Sequence, residues 1–417
     1  MAELIDNVEQ SDRVEALYEF VTRVQEGADA ASIATEYTDA IEAVRPYDVL
    51  VIEHTLLAEG ASIPAVKEEI EPILAEFRPA LEAHDWDQPA AGHPIDNFRR
   101  ENRAIESHLA EITSLAAEIE GATEPPLQAV GNLQSHIEAL SGIDRHFVRK
   151  ENELFSHLED HWKHDRPLGV MWSIHDDIRS LRSTLESMAS NPETNPATLS
   201  TLCTRLSNLL QGLIFKEEQV IFPVARETLT DAEWEPIQRE SAEIGYFEIE
   251  PTFTYLDSAD PAADTDDFVG SGDTGSLPAG AVEFGLETGS LTLSEVQMLF
   301  DTLPIDVTYV DEDDRVRYFN NPEDRIFPRS GSIIGRTVQN CHPPESVDRV
   351  EQILSAFRAG EQDRARFWIQ NDEAFVVIEY YALRDERGNY RGTLEVTQEA
   401  SDVRSLEGEK RLVDWGE

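Results

Sequence analysis

His146 and Glu151 stand five residues apart in Arg145-His146-Phe147-Val148-Arg149-Lys150-Glu151-Asn152-Glu153-Leu154-Phe155. On a helical wheel at about 100° per residue, Leu133, Leu140, Ile143, Phe147, Leu154 and Leu158 form one apolar stripe, with Glu151 near its middle. A carboxylate facing a core is costly unless it is neutralised, hydrogen-bonded or bound to a metal. Other ionisable groups share this placement. Glu217 falls within about 20° of the middle of a later stripe, with Glu218 towards its edge. Glu101 lies inside the margin of an earlier one, His93 heads the same segment, and His146 and His175 flank theirs. Inward Glu and His from facing helices are the material of carboxylate-bridged di-iron sites. Nitrogen and oxygen donors without thiolate suit iron or manganese, with zinc as an alternative. A Glu on an apolar face is also commonly a snorkelling or edge residue, and a His a satisfied core residue. From the residues alone, metal binding and plain packing both stay open.

Two further groups have ligand chemistry. His157 and His161 have a zinc-like spacing, but about 1.5 Å of rise per residue puts His157 some 16 Å from His146, outside one site. Solvent exposure is the expectation for that pair. Cys341 and His342, in Asn340-Cys341-His342-Pro343-Pro344, offer a haem or metal ligand or a redox-active thiol. A loop fixed by two prolines is the plainer reading there.

The elements that must position these residues follow in order. Residues 1–85 carry short helical patterns, interrupted at Gly27, Pro46 and Gly60, with Ser62 before Ile63-Pro64 as a helix start. This is a small all-α module with no catalytic constellation, and His54 reads as a surface or packing histidine. Residues 88–246 hold four long amphipathic patterns separated by Pro- or Asn-bearing breaks at Glu124-Pro125-Pro126, Pro167, Asn191-Pro192 and Asn195-Pro196, followed by a helical tail over 232–246. That is the pattern of an up-down four-helix bundle. Over 247–290 the composition turns to Asp, Gly, Ser, Thr, Pro and Ala, with no Lys or Arg between Arg239 and Arg315, which predicts a self-repelling linker. Residues 291–402 change to an α+β pattern. A hairpin is expected at 307–311 and 316–320, a helix at 347–357, and strands at 365–369, 374–383 and 392–397, giving a five-stranded antiparallel sheet. Residues 403–417 are a tail.

Composition narrows the function. A net charge of -49 over 417 residues, spread along the whole chain, argues against nucleic-acid binding through a basic surface and against acidic membrane surfaces. It suits a protein kept soluble in a high-salt, halophilic cytosol. No run approaches the roughly 18–20 apolar residues of a membrane span. The acidic start, Met1-Ala2-Glu3-Leu4-Ile5-Asp6, is unlike a signal peptide, so the cytoplasm is expected. Two cysteines without a CxxC spacing argue against a disulfide framework and a zinc-thiolate site.

Residues 92–246 resemble a hemerythrin-like (HHE) cation-binding domain. The resemblance rests on His93, on His146 with Glu151 before Leu154-Phe155, on Ile174-His175-Asp176-Asp177-Ile178-Arg179, and on Lys216-Glu217-Glu218-Gln219-Val220-Ile221-Phe222-Pro223. It implies His/Glu-bearing helix pairs holding one or two non-haem iron ions that respond to oxygen, nitric oxide or redox state. The family usually places Glu four residues after His. Here that position is Lys150, and Leu213 stands where a histidine would precede Glu217. The implied ligand set, drawn from His93, Glu101, His146, Glu151, His175, Glu217 and Glu218, is rich in carboxylate and poor in histidine. Residues 292–402 resemble a PAS sensor domain, on Leu303-Pro304-Ile305-Asp306-Val307-Thr308-Tyr309-Val310-Asp311, Tyr318-Phe319-Asn320, Ile334-Gly335-Arg336 and Gly392-Thr393-Leu394-Glu395-Val396-Thr397. The N-terminal module is similar to an uncharacterised helical domain that often precedes these two.

The expectation is a cytoplasmic non-haem-iron sensor with PAS-mediated relay to a protein partner and association of two copies through PAS. No output signature follows Arg411. The alternatives are a PAS interaction scaffold with a structural bundle, haem being the PAS cofactor there, and a di-iron enzyme acting on oxygen, peroxide or nitrosylated iron. The non-enzymatic readings are preferred.

Overall fold

The computed structural model describes residues 12–121, 127–162, 166–191, 194–254, 283–286, 288–322, 325–327, 329–342, 344–370 and 374–409. The main division, at Pro261–Ala262, separates two compact units.

The first unit is helical. Its N-terminal part comprises α1 (Asp12–Gln25), α2 (Ala30–Ile33), α3 (Thr38–Glu42), α4 (Pro46–Ala58) and α5 (Ile63–Glu82). Local chemistry sets the starts: Pro46 occupies the first turn of α4, and the Ser62 hydroxyl accepts from the Ala65 amide at the head of α5. Phe20 and Phe77 meet with ring centroids 5.8 Å apart in the core.

The bundle follows. It comprises α6 (Pro94–Gly121), α7 (Leu127–Ala139), α8 (Ile143–Arg149), α9 (Phe155–His161), α10 (Arg166–Ala189), α11 (Pro196–Lys216) and α12 (Phe222–Thr228), then α13 (Asp231–Ile244). Helices α6, α7, α10 and α11 close a ring in which each packs against its neighbours in sequence. Asn195 caps α11 by accepting from the Ala197 and Thr198 amides at 2.9 and 3.4 Å. The bundle and the N-terminal helices share one apolar core, from Leu17 and Phe77 to Phe98, Phe147, Leu210 and Trp234.

Two of the bundle's helical rods are interrupted by single π turns, Lys150–Leu154 between α8 and α9 and Glu217–Ile221 between α11 and α12. In each, an N–H reaches a carbonyl five residues back, Phe155 to Lys150 and Phe222 to Glu217. Pro223, which lacks a backbone N–H and crowds the carbonyl four residues before it, gives a local reason for the second. Such turns insert an extra residue into a helix and concentrate at functional sites.

The segment 247–254, read from composition as the start of the linker, packs on the bundle. Phe247 is buried, Asn97 donates to the Thr252 carbonyl at 2.8 Å, and the Thr254 amide donates to the Gly92 carbonyl at 3.1 Å. Gly92 adopts φ +88°, and a Cβ there would stand 3.1 Å from the Phe253 backbone, so glycine is required for the close approach. Of the rest of the linker, expected to run to 290, residues 255–282 lie outside the described residues, and its end falls in the paired strands Glu283–Leu286 and Gly289–Thr292.

The second unit holds a short hairpin, β1 (Glu283–Leu286) with β2 (Gly289–Thr292), then α14 (Leu293–Thr302). Its main sheet contains β3 (Asp306–Asp311), β4 (Val316–Phe319), β5 (Arg364–Gln370), β6 (Phe375–Arg384) and β7 (Tyr390–Glu399), antiparallel in the order β4-β3-β7-β6-β5. Helix α15 (Pro344–Ala359) precedes β5, and α16 (Ser401–Ser405) follows β7. Burial alternates along the first six residues of β6, the period-2 pattern of a strand with one face on a core. The expected hairpin, helix and three later strands are all present: β3, α15, β5 and β7 run longer than the periodicity suggested, β4 ends one residue earlier, and β6 keeps its length but is shifted by one residue.

Candidate metal centre

Glu101 is carried by α6, His146 by α8, Glu151 by the first π turn, His175 by α10 and Glu217 by the second π turn. All five are buried. His146 sits between two carboxylates, its Nδ1 3.0 Å from Glu101 Oε2 and its Nε2 3.6 Å from Glu217 Oε2. His175 places Nδ1 2.7 Å from Glu151 Oε1, while its Nε2 is buried and has no hydrogen-bond partner. Its ring stacks on Phe147, centroids 4.2 Å apart and planes 9° from parallel.

Three basic side chains enter the same interior. The Arg149 guanidinium bonds Glu101 and lies over the rings of Phe98 and Tyr246, at 4.7 and 4.2 Å from their centroids. The Lys150 ammonium bonds Glu217 with neither side chain exposed. Arg179 takes both oxygens of Glu151 at 3.0 Å and reaches Asp144 at 2.9 Å. Three carboxylates are thus matched by three cations.

The ionisation of these groups follows from that matching. Burial works to raise the carboxyl of Glu217, but Lys150 and His146 outweigh it and hold Glu217 well below the usual carboxylate range. Glu101 is lowered likewise: burial opposes, and Arg149 and His146 prevail. Burial, reinforced by Lys150 and Arg179, drives His175 far below the ordinary histidine value, so its ring is neutral and can act as a donor.

The remaining expected ligands stand apart from this cluster. His93 accepts the Ile95 amide at Nδ1 (3.1 Å) and packs its ring edge-on against Trp234, centroids 4.6 Å apart. Burial, with Arg226 adding to it, lowers His93 to about 4. Glu218 faces outward to Arg103 and Arg99, and shares Asn102 with Glu217, whose Oε2 is 3.1 Å from the amide nitrogen. Burial raises the carboxyl of Glu218. His161 is paired with Glu233 on an exposed surface, away from the bundle centre.

Sequence reasoning did not identify Arg149, Arg179 and Asn102 as part of the site, nor the buried role of Lys150. A signal for the lysine was present. The chain has only five lysines, and two of them, Lys150 and Lys216, directly precede Glu151 and Glu217. Spending so scarce a residue twice at matched positions marks both. In the PAS region, Cys341 is half-buried against Val310, Val316, Ile333 and Val338, and His342 Nδ1 donates to the Val338 carbonyl at 2.7 Å. Burial lowers His342.

The donors have the form a metal needs in one respect. A ligating histidine commonly gives its second ring N–H to a carboxylate, which fixes the tautomer and turns the other nitrogen to the ion. Glu101 and Glu151 do this for His146 and His175, and the buried His175 Nε2 lacks any other use. Both histidines are thus oriented as ligating histidines are, and Glu217 Oε2 lies 3.6 Å from His146 Nε2. As the side chains stand, no group of three or more His, Cys, Asp or Glu among the described residues is gathered closely enough to hold an ion, and the ammonium of Lys150 lies on Glu217.

Two family models match the chain: the hemerythrin HHE cation binding domain over residues 93–225 and a PAS domain over residues 296–401. No curated protein matches it. Among solved structures, the C-terminal domain of a protein from Streptococcus mutans is 29% identical, with 31% of this chain and 99% of that chain covered and a TM-score of 0.30. The PAS domain of a protein from Colwellia psychrerythraea is 14% identical (26% and 98% covered, TM-score 0.21). A sensory box sensor histidine kinase from Vibrio cholerae is 15% identical (25% and 86% covered, TM-score 0.20). No helix among the described residues is long and apolar enough to cross a membrane. The chain carries a hemerythrin HHE cation binding domain at residues 93–225 and a PAS domain at residues 296–401.

Proposed function

We propose that this is a sensory protein of the cytoplasm whose bundle holds one non-haem iron ion through His146, His175 and Glu217, and whose PAS domain relays the state of that centre to a protein partner. The observation that carries the reading is the matched treatment of two buried histidines, each tied at Nδ1 to a carboxylate. Bound iron supplies a redox-active centre able to take a diatomic ligand such as oxygen or nitric oxide. The chain's own residues supply the rest. Glu101 and Glu151 orient the imidazoles, Arg149 and Arg179 hold those carboxylates by hydrogen bonds, and Phe98, Phe147 and Phe155 keep water from the interior. A nitrogen-poor set of two histidines departs from a di-iron arrangement, which favours sensing over oxygen carriage.

The test is metal analysis of the full-length protein from iron-replete cells. About one iron per chain with charge-transfer absorption is expected, lost in His175→Ala. Metal-free protein that takes up no iron on reconstitution refutes the reading. A second reading, a structural bundle with PAS-mediated association, draws on the matching of Glu101, Glu151 and Glu217 by Arg149, Arg179 and Lys150. It requires metal content to be unaffected by Glu217→Ala.

A further inference from the structure

We infer that Lys150 is a tethered counter-cation that holds the place of the metal on Glu217 and must withdraw when an ion enters. The inference rests on the reading of His146, His175 and Glu217 as ligands.

Charge and geometry both lead here. Glu101, Glu151 and Glu217 are balanced one for one by Arg149, Arg179 and Lys150. A divalent ion added to that buried, balanced set leaves positive charge uncompensated, which a low-dielectric interior resists. One cation has to leave, and the three differ in how firmly they are held. Arg149 is clamped between two aromatic rings. Arg179 grips Glu151 with two nitrogens and has Asp144 and Asp176 as further partners. Lys150 is a point charge on a flexible four-carbon stem, bonded to a carboxylate oxygen of the proposed ligand Glu217 and lying 4.9 Å from the centroid of the Phe147 ring. It also opens the π turn, so its backbone lies where the helix already departs from regular hydrogen bonding.

The ammonium therefore does two things. It keeps the metal-free interior neutral and folded, and it weakens metal binding by occupying the carboxylate. Metal content becomes a competition between an external dication and an internal monocation, so the affinity is lower than that of the same donors without the lysine.

The experiment compares wild-type protein with Lys150→Met, both full-length and metal-stripped, in calorimetric titration with cobalt(II) and in thermal melts with and without it. The variant is expected to bind cobalt(II) about tenfold or more tightly, the scale of one displaced buried charge interaction. Its melting temperature without metal should be lower, and cobalt(II) should raise it more than in wild type. If Lys150→Met does not fold without metal, refolding in the presence of cobalt(II) supports the inference, and Lys150→Gln carries the affinity comparison. Equal affinities in wild type and variant overturn the inference while leaving the metal-binding reading intact. Binding by the variant alone supports the role of Lys150 and overturns the reading of wild-type protein as a metal sensor. Binding by neither overturns both.

Discussion

Glu53 accepts two hydrogen bonds from Lys216, at 2.7 and 2.8 Å, and both residues are buried where α4 meets the end of α11. The N-terminal helices thereby supply the counter-ion for the residue that directly precedes Glu217. Breaking a buried pair by removing one partner strands a charge and costs about 3–5 kcal/mol. Glu53→Ala should therefore destabilise the first unit by that order in urea denaturation. A Glu53→Leu/Lys216→Met pair should recover much of it, because both charges leave together.

The orienting carboxylates give a graded prediction. Glu151→Gln keeps a group near His175 but weakens its hold and leaves Arg179 without its bidentate acceptor. Loss of such an outer partner typically costs about 10–100-fold in metal affinity. Glu151→Gln should show a fall of that order by chelator competition, whereas His175→Ala should abolish binding. Equal effects of the two substitutions would assign Glu151 a direct bond to the ion.

In the PAS domain, Asn320 ties the last turn of α14 to the start of β3. Its Oδ1 accepts from the Val307 amide at 2.6 Å, and its Nδ2 donates to the carbonyls of Phe300 and Ile305, both at 2.9 Å. Asn320→Ala leaves those groups without that partner at the edge of β3. Each buried backbone group so stranded costs about 1–3 kcal/mol. A drop of at least that size in the unfolding free energy of the second unit is expected.

The two thiols should be chemically distinct. Burial pushes the Cys203 thiol up to about 11, and its side chain is closed off inside the bundle, which keeps it as an unreactive thiol at pH 8. Cys341 is half-buried. Iodoacetamide under native conditions should label Cys341 alone, with Cys203 reacting only in denaturant, as peptide mass mapping would show.

Glu233 links stability to pH. Burial acts to raise its carboxyl, but the Thr230 hydroxyl and amide, with His161, bring it down to about 2. A carboxyl lowered on folding contributes stability above its unfolded value of about 4.5, and the contribution is lost as pH falls towards 2. Solvent screening keeps it small, since the side chain is partly exposed. Glu233→Gln should flatten the stability profile slightly between pH 4.5 and 2 and leave its neutral limb parallel to that of wild type.

Much of the fold was legible because its signals are local. Ser62, Asn195 and Pro46 mark helix starts through hydrogen bonds or fixed φ within a few residues, and the strands of the PAS sheet announce themselves by alternation. The burial of Glu151 and Glu217 followed from a wheel. Their partners did not. Arg179 and Asn102 reach them from other helices and Lys150 from a turn whose phase a regular wheel misplaces, and nothing local pairs Glu53 with Lys216 over 163 residues of sequence. The strap at 247–254 was misread because composition speaks of average polarity. One buried ring, Phe247, and hydrogen bonds to Glu101, Asn97 and Gly92 are enough to pin it.

The two π turns make the centre sensitive to chain length more than to residue identity. Each is one residue longer than a regular helix needs, so a single deletion within Lys150–Leu154 or Glu217–Ile221 relaxes the rod to an α-helix with every side chain intact elsewhere. The flanking helices keep their phase, because the extra residue is what the π turn absorbs, and only the residues inside the turn change face. In the first rod, His146, Phe155 and Leu158 would keep their faces, while deletion of Lys150 would bring Glu151 to a spacing of four from His146. The same length bookkeeping explains why a spacing of five between His146 and Glu151 looks irregular in one dimension. A missing codon there would re-aim the side chains of the turn while leaving the flanking helices in register.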